Sequence, residues 1–271
     1  MAKLRKDVTL GAVIHRAHEE NIRLVLRDKA KHLLEQTDTG TTDAVEKLKN
    51  DIDIFFGDGQ AFDAQTKEWG METQTDPESY VLAAFAQLLS NWKTPGKDVV
   101  ETTLDGSPFE AFKLTCVKGT QHQDTYLLEN DSEFEVFIST RASRKLSAEF
   151  LDELIVAGGP VSIIIPKIDI EAKQDYSTDF HGSLAIHDEC RTYDIDEVVT
   201  SAKVKLDKTG VEVKQLTKMT MVMSGCLAPM ITKPVRVRDS FVLGVSKKID
   251  GQRVPLFELL IEQSDFELIQ K

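Results

Sequence analysis

From residue 211 to residue 223, alternate positions form one uncharged set: Val211, Val213, Gln215, Thr217, Met219, Met221 and Met223. The interleaved set, Glu212, Lys214, Leu216, Lys218, Thr220, Val222 and Ser224, carries three charges. Side chains of a strand alternate between faces, so this stretch is written as a strand with one side to bury. Helical spacing fits worse, because Val211, Gln215, Lys218 and Val222 would share a face and mix charge with apolar groups. The stretch then runs into Ser224, Gly225, Cys226, Leu227, Ala228 and Pro229, which signal an exposed turn. Any fold for this chain has to offer a sheet that can accept the strand and a surface on which the following loop can stand.

The remaining residues narrow the class. The chain has 271 residues, 41% hydrophobic and 29% charged, the balance of a globular protein with a substantial core. Its net charge of −12 opposes nucleic acid and anionic membrane surfaces, and no basic patch offsets it. No apolar window reaches transmembrane length. The N-terminus, MAKLRKDVTLGAVIHRAHEEN, has only a short apolar run between Asp7 and His15, a poor signal peptide. Cys116, Cys190 and Cys226 are odd in number and scattered, which suits free thiols and a cytoplasmic protein.

Catalytic and metal motifs do not assemble. His15 and His18 have metal-friendly spacing but no accompanying cluster. Asp51, Asp53 and Asp58 resemble part of a calcium loop, yet Ile54, Phe55 and Phe56 stand where oxygen ligands are needed. Cys226 has no histidine near it in sequence. Met219, Met221 and Met223 could suggest a soft-metal site, but their strict period of two reads first as a core-facing strand. No P-loop, dinucleotide fingerprint or nucleophile elbow is present. The expectation is a protein with no catalytic residues, no metal and no cofactor.

Along the chain, residues 8 to 36 are predicted as helix from Leu10, Val13, Ile14, Ala17, Ile22, Val25, Leu26, Leu33 and Leu34. A second helix, capped at Thr42 or Asp43, would run through Leu48 and Ile52 and end at FFGDGQ. ESYVLAAFAQLLSNWK is ambiguous between buried strand and helix. From residue 99 onward, FKLTCVKG, TYLLEN, EVFIST, VSIIIPKIDIEA and EVVTSAKVKLD are strand-like runs between turn residues. LSAEFLDELIVAGG is predicted as a short helix with Ser147 as N-cap and Gly158 as stop. Ile249, Asp250 and Gly251 would turn a final hairpin. The sum is one α+β domain over residues 1–271, with residues 1–75 mostly helical and residues 76–271 rich in strand.

Several of these runs resemble serpins, in the right order. VVTSAKVKLDKTGVEV, residues 198–213, resembles the strand and hinge that precede the serpin reactive loop. ESYVLAAFAQLLSNWKTP resembles the central strand ending in tryptophan, here Trp92. EVFISTRASRKLSAEFLDEL resembles a serpin strand, loop and helix start, and VSIIIPKIDIEAKQDY, VRVRDSFVLGV and VPLFELLIE are similar to later serpin strands and the C-terminal signature around Phe241. The resemblance covers roughly residues 75–268 and implies a shortened serpin with large β-sheets, helices packed around them and a reduced N-terminal helical portion.

It further implies an inhibitor of a serine or cysteine protease. An exposed loop near 210–234 would be bait, with its hinge at Gly210, Val211, Glu212 and Val213 and its scissile bond somewhere among Met223, Ser224, Gly225, Cys226, Leu227 and Ala228. After attack by the protease nucleophile the loop would insert into the main sheet and distort the bound enzyme. Burying Val211, Val213, Met219, Met221 and Met223 would supply on the order of 8–15 kcal/mol at most, comparable with the stability of a whole domain. Trp92, Ala84 and Thr200 map to the region where the sheet would open. The pattern departs from inhibitory members in several places. Lys208 replaces a glutamate, bulky Val213, Lys214, Gln215 and Leu216 follow the hinge, and Ala84 and Thr200 replace an asparagine and a histidine. Two alternatives therefore stand beside inhibition: a non-inhibitory protein that binds a partner through its loop or N-terminal helices, and a chain in which residues 209–223 already form a permanent sheet strand.

Overall fold

The computed structural model describes residues 2–37, 48, 50–68, 74–75, 79–187, 191–217 and 234–269. The chain begins with strand β1 (Lys3–Asp7) and helix α1 (Val8–Glu19). The predicted continuous helix over 8–36 is broken: β2 (Ile22–Val25) intervenes before α2 (Asp28–Thr37). Asn21 adopts a left-handed backbone, φ 57°, which stops α1 as a C-terminal cap. Pairing of β2 then overrides the helical spacing of Ile22 and Val25. Arg27, just after β2, is anchored by its amide to Ser183 Oγ and by its Nε to the Gly182 carbonyl, at 3.0 and 2.8 Å.

The second correction concerns FFGDGQ, which is a strand handing over to a helix. Strand β3 (Asp53–Asp58) leads straight into α3 (Gly59–Glu68), and Asp58 Oδ1 accepts the Ala61 amide at 2.9 Å. The predicted cap at Thr42 or Asp43 lies outside the described residues. Among its described residues the N-terminal segment holds three helices, and the strands set between them, β1, β2 and β3, each join a different sheet.

The ambiguous apolar run is strand β4 (Tyr80–Asn91). It is followed by β5 (Lys97–Thr102), β6 (Pro108–Thr120), β7 (Thr125–Leu128) and β8 (Phe134–Ser139). Helix α4 (Ala148–Asp152) starts as predicted, with the Ser147 side chain accepting the Phe150 amide. It stops at Glu153 rather than Gly158, because β9 (Val156–Pro166) begins there and pairs with β6. Then come β10 (Ile168–Asp175), α5 (Ser177–Phe180), β11 (Leu184–His187), β12 (Arg191–Asp194), β13 (Val199–Leu206) and β14 (Gly210–Thr217). After β15 (Val235–Arg236), β16 (Phe241–Ile249) and β17 (Gln252–Ile261) close the chain as the predicted hairpin. Its turn residues Asp250 and Gly251 both have positive φ, 51° and 88°, the geometry that favours an Asp-Gly pair in a tight hairpin.

These strands form a nine-stranded sheet, β1-β17-β16-β8-β7-β6-β9-β15 with β5 added on β6. A five-stranded sheet runs β10-β13-β14-β4-β3, and a three-stranded sheet runs β12-β11-β2. The two larger sheets share one core, in which Leu88, Trp92, Val204, Val211 and Val213 join Phe112, Ile163, Ile165 and Leu243. No described helix is long and apolar enough to cross a membrane.

Candidate functional site

Strand β14 occupies the centre of the five-stranded sheet. Val211 pairs with Leu206 of β13 on one side and Ser90 of β4 on the other; Val213 pairs with Val204 and Leu88. Both valines are 1% exposed. The intervening Glu212 and Lys214 lie on the other face, half-buried and paired to each other at 3.0 Å. Over residues 211–214 the alternation read from the sequence is the burial pattern of the strand. Gly210, Val211, Glu212 and Val213, expected at the base of an exposed loop, are hydrogen-bonded strand residues, and so is the backbone through Thr217. Val211 and Val213 are covered by two neighbouring strands, and that is why they do not stand in water. The candidate scissile residues Met223, Ser224, Gly225, Cys226, Leu227 and Ala228 lie outside the described residues.

Gly210 is required where it stands. A Cβ at this position would come within 1.9 Å of the Ser90 carbonyl oxygen and 2.7 Å of Asn91 Cα, both backbone atoms of β4. Close approach of two backbones is the use of this glycine.

The turn between β13 and β14 is held from several directions. Asp207 Oδ1 accepts the amides of Thr209 and Gly210 at 2.7 and 3.3 Å, an Asx-type turn. Burial works against the Asp207 charge, but the Thr209 hydroxyl and these amides outweigh it, so its pKa falls below the ordinary carboxylate value. Trp92, 1% exposed, donates its amide to the Thr209 carbonyl and its Nε1–H to the Asp207 carbonyl, at 2.9 and 2.8 Å. Its ring stacks on Phe112 with centroids 6.4 Å apart. The Gly96 amide donates to the Lys208 carbonyl at 2.6 Å. Lys208, the substituted glutamate position, pairs with Asp98, which Lys167 also approaches at 3.4 Å. The Lys208 contact first, and then Lys167, hold Asp98 below the usual carboxylate range.

Ala84 and Thr200 come together at the opposite end of β14, where Thr217 is the register partner of both. Trp92 is not with them; it marks the Gly210 end. The sequence did not single out Asp207, Gly96, Ser90 or the Lys208–Asp98–Lys167 group. An Asp-Lys-Thr-Gly turn signature at 207–210 was the available signal for the first; the others meet only through pairings between distant segments. Among the described residues no group of three histidine, cysteine or acidic side chains could hold a metal.

No protein-family model matches the sequence, and no curated protein matches it. Solved structures do. Serpin-12 of Manduca sexta superposes with a TM-score of 0.57 at 9% identity, over 98% of this chain and 94% of that one. Human thyroxine-binding globulin, in complex with thyroxine, gives 0.57 at 9% identity, over 96% and 91%. The thermophilic serpin tengpin, in its latent state, gives 0.53 at 9% identity, over 97% and 92%. The likeness runs across nearly the whole chain: its fold is that of a serpin.

Proposed function

We propose that this chain is a non-inhibitory binding protein built on a serpin fold. One observation carries the reading: β14 is paired on both sides over eight residues in an uncut chain. A trap works by adding a strand to the sheet after cleavage. Here the first part of that strand is in place, so the free energy of its burial is not held in reserve for deforming an enzyme. The strapped turn at Asp207–Gly210 and the bulky residues after the hinge support the same reading. Human thyroxine-binding globulin, similar in fold, is named for binding rather than for inhibition.

A second reading, protease inhibition by loop insertion, has its own support in the uncharged set that continues through Met219, Met221 and Met223. In that reading the present arrangement is the latent form of a trap, a state in which tengpin has been crystallised. The target would be a serine or cysteine protease and the bond attacked would lie among residues 223–228.

Incubation with a panel of serine and cysteine proteases separates the two. A binding protein gives clean cleavage or none, no SDS-resistant complex, and a melting temperature that nicking leaves unchanged. A latent trap, denatured and rapidly refolded before the assay, gives a covalent complex with at least one protease. Such a complex, or a rise of tens of degrees on nicking, would overturn the first reading; a gain of on the order of 8 kcal/mol corresponds to roughly that shift.

A further inference from the structure

A cavity of about 650 Å³ lies between α1, the three-stranded sheet and the start of β4, within the range that holds a drug-sized molecule. Its floor is apolar: Leu10, Val13 and Ile14 of α1 line it together with Phe180 of α5. One wall is a run of three aromatic rings. Phe56 and Tyr80 have centroids 5.4 Å apart, and Tyr80 and Tyr193 have centroids 5.6 Å apart. Tyr80 is 49% exposed, an unusual degree for a large ring in a cluster. Beyond this wall come three exposed carboxylates, Asp194, Asp196 and Glu197. No lysine, arginine or histidine is among the described lining residues. Asp194 and Asp196 form no ion pair with any described cation.

The combination selects a ligand. An apolar floor takes a hydrocarbon or aromatic body. Aromatic faces carry negative potential and attract a cation placed over them, as do the Asp194 and Asp196 carboxylates. An anion would meet both, together with the net charge of −12. A neutral apolar molecule would fill the floor and gain nothing from Asp194 and Asp196, which water already solvates. We infer that this cavity is a binding site for a small apolar molecule carrying a protonated amine, its body on Leu10, Val13 and Ile14 and its ammonium between Tyr80, Tyr193 and the Asp194–Asp196 carboxylates. The inference deepens the binding-protein reading by giving it a ligand class. It is tested separately, because the protease assay does not report on the cavity.

The test is calorimetric titration of the whole chain at neutral pH with phenylbutylamine, phenylbutanol and phenylbutanoate, which share a body and differ in charge. The amine is expected to bind at least about tenfold more tightly than the alcohol, with the carboxylate weakest. The double variant Asp194→Asn, Asp196→Asn is expected to bring the amine down to the affinity of the alcohol and leave the alcohol unchanged. Tyr80→Ala, at an exposed ring, is expected to weaken the amine more than the alcohol. Unchanged melting temperatures verify that both variants fold. Equal affinity for the three compounds, an amine affinity that survives the double substitution, or no binding of any of them would overturn the inference. A covalent protease complex with amine binding intact would remove the non-inhibitory reading and leave the cavity assignment standing.

Discussion

Gly210→Ala tests directly whether β14 belongs to the resting sheet. The added methyl meets backbone atoms of Ser90 and Asn91, the nearest at 1.9 Å, so no side-chain rotation relieves the overlap. Either the start of β14 moves away from β4 or the end of β4 moves away from β14. Overpacking of this kind costs about 1–3 kcal/mol. Full expulsion of the strand would expose Val211 and Val213, a loss of roughly 3–6 kcal/mol at about 1.5–3 kcal/mol per side chain. The strain is the smaller quantity, so the strand stays and loosens at its Gly210 end. At about 2–4 °C per kcal/mol for a chain of this class, melting falls by about 2–12 °C. Native-state hydrogen exchange supplies the local readout. In the parent protein the Val211 and Val213 amides exchange as slowly as those of central β4, and in the variant they are the first to lose protection. Fast exchange of these amides in the parent, or a variant that melts within about 1 °C of it, would refute the placement of the strand and with it the proposed function.

Two other substitutions probe neighbouring features. Trp92→Phe keeps much of the ring that stacks on Phe112 but removes the Nε1 donor to the Asp207 carbonyl, leaving a part-buried acceptor unpaired. The expected cost is about 2 kcal/mol, a fall in melting temperature of about 4–8 °C by scanning fluorimetry; a shift under about 1 °C would deny the tryptophan its role in holding the turn. Glu258 is buried, accepts the Leu146 amide at 2.7 Å, and lies 3.6 Å from Arg5; burial dominates and raises its pKa. The folded state therefore holds this proton more tightly than the unfolded state. That contribution is complete below the unfolded value of about 4.3 and is lost as pH rises through the folded value. Glu258→Gln, permanently neutral, is expected to gain on the parent in melting temperature from about pH 4 upward, and a difference that is flat with pH would contradict the assignment.

The strands that alternate or carry their own turns were legible in the sequence. Val211 and Val213 announced a buried face, Ser147 announced a helix start, and Asp250-Gly251 announced the last hairpin. What was not legible depends on partners far away in the chain. The alternation in β14 is the same whether the strand waits outside a sheet or lies within it, because the deciding contacts belong to Ser90 and Leu88. The helical spacing of Ile22 and Val25 was outweighed by pairing with Leu184 to His187, and Asn21 was the small local clue. In β3, the run Ile54, Phe55 and Phe56 has no alternation, since both faces are half-buried, and the nearby glycines suggested an ending where a strand meets a helix. Aromatic rings at 56, 80 and 193 come from three separate elements and could not have been joined on paper.

The short turn from Asp207 to Thr209 has a kinetic implication. It lets β13 and β14 zip together as a local hairpin long before either finds β4, whose residues were made far earlier in the chain. The pair can then dock against β4 as one unit. No finished sheet has to be prised apart to admit a latecomer, and no cut is needed to free the end of the strand. A nascent chain can therefore reach the pairing of β14 with both neighbours on its first passage to the native state, with the order of zipping setting how the strand enters the sheet.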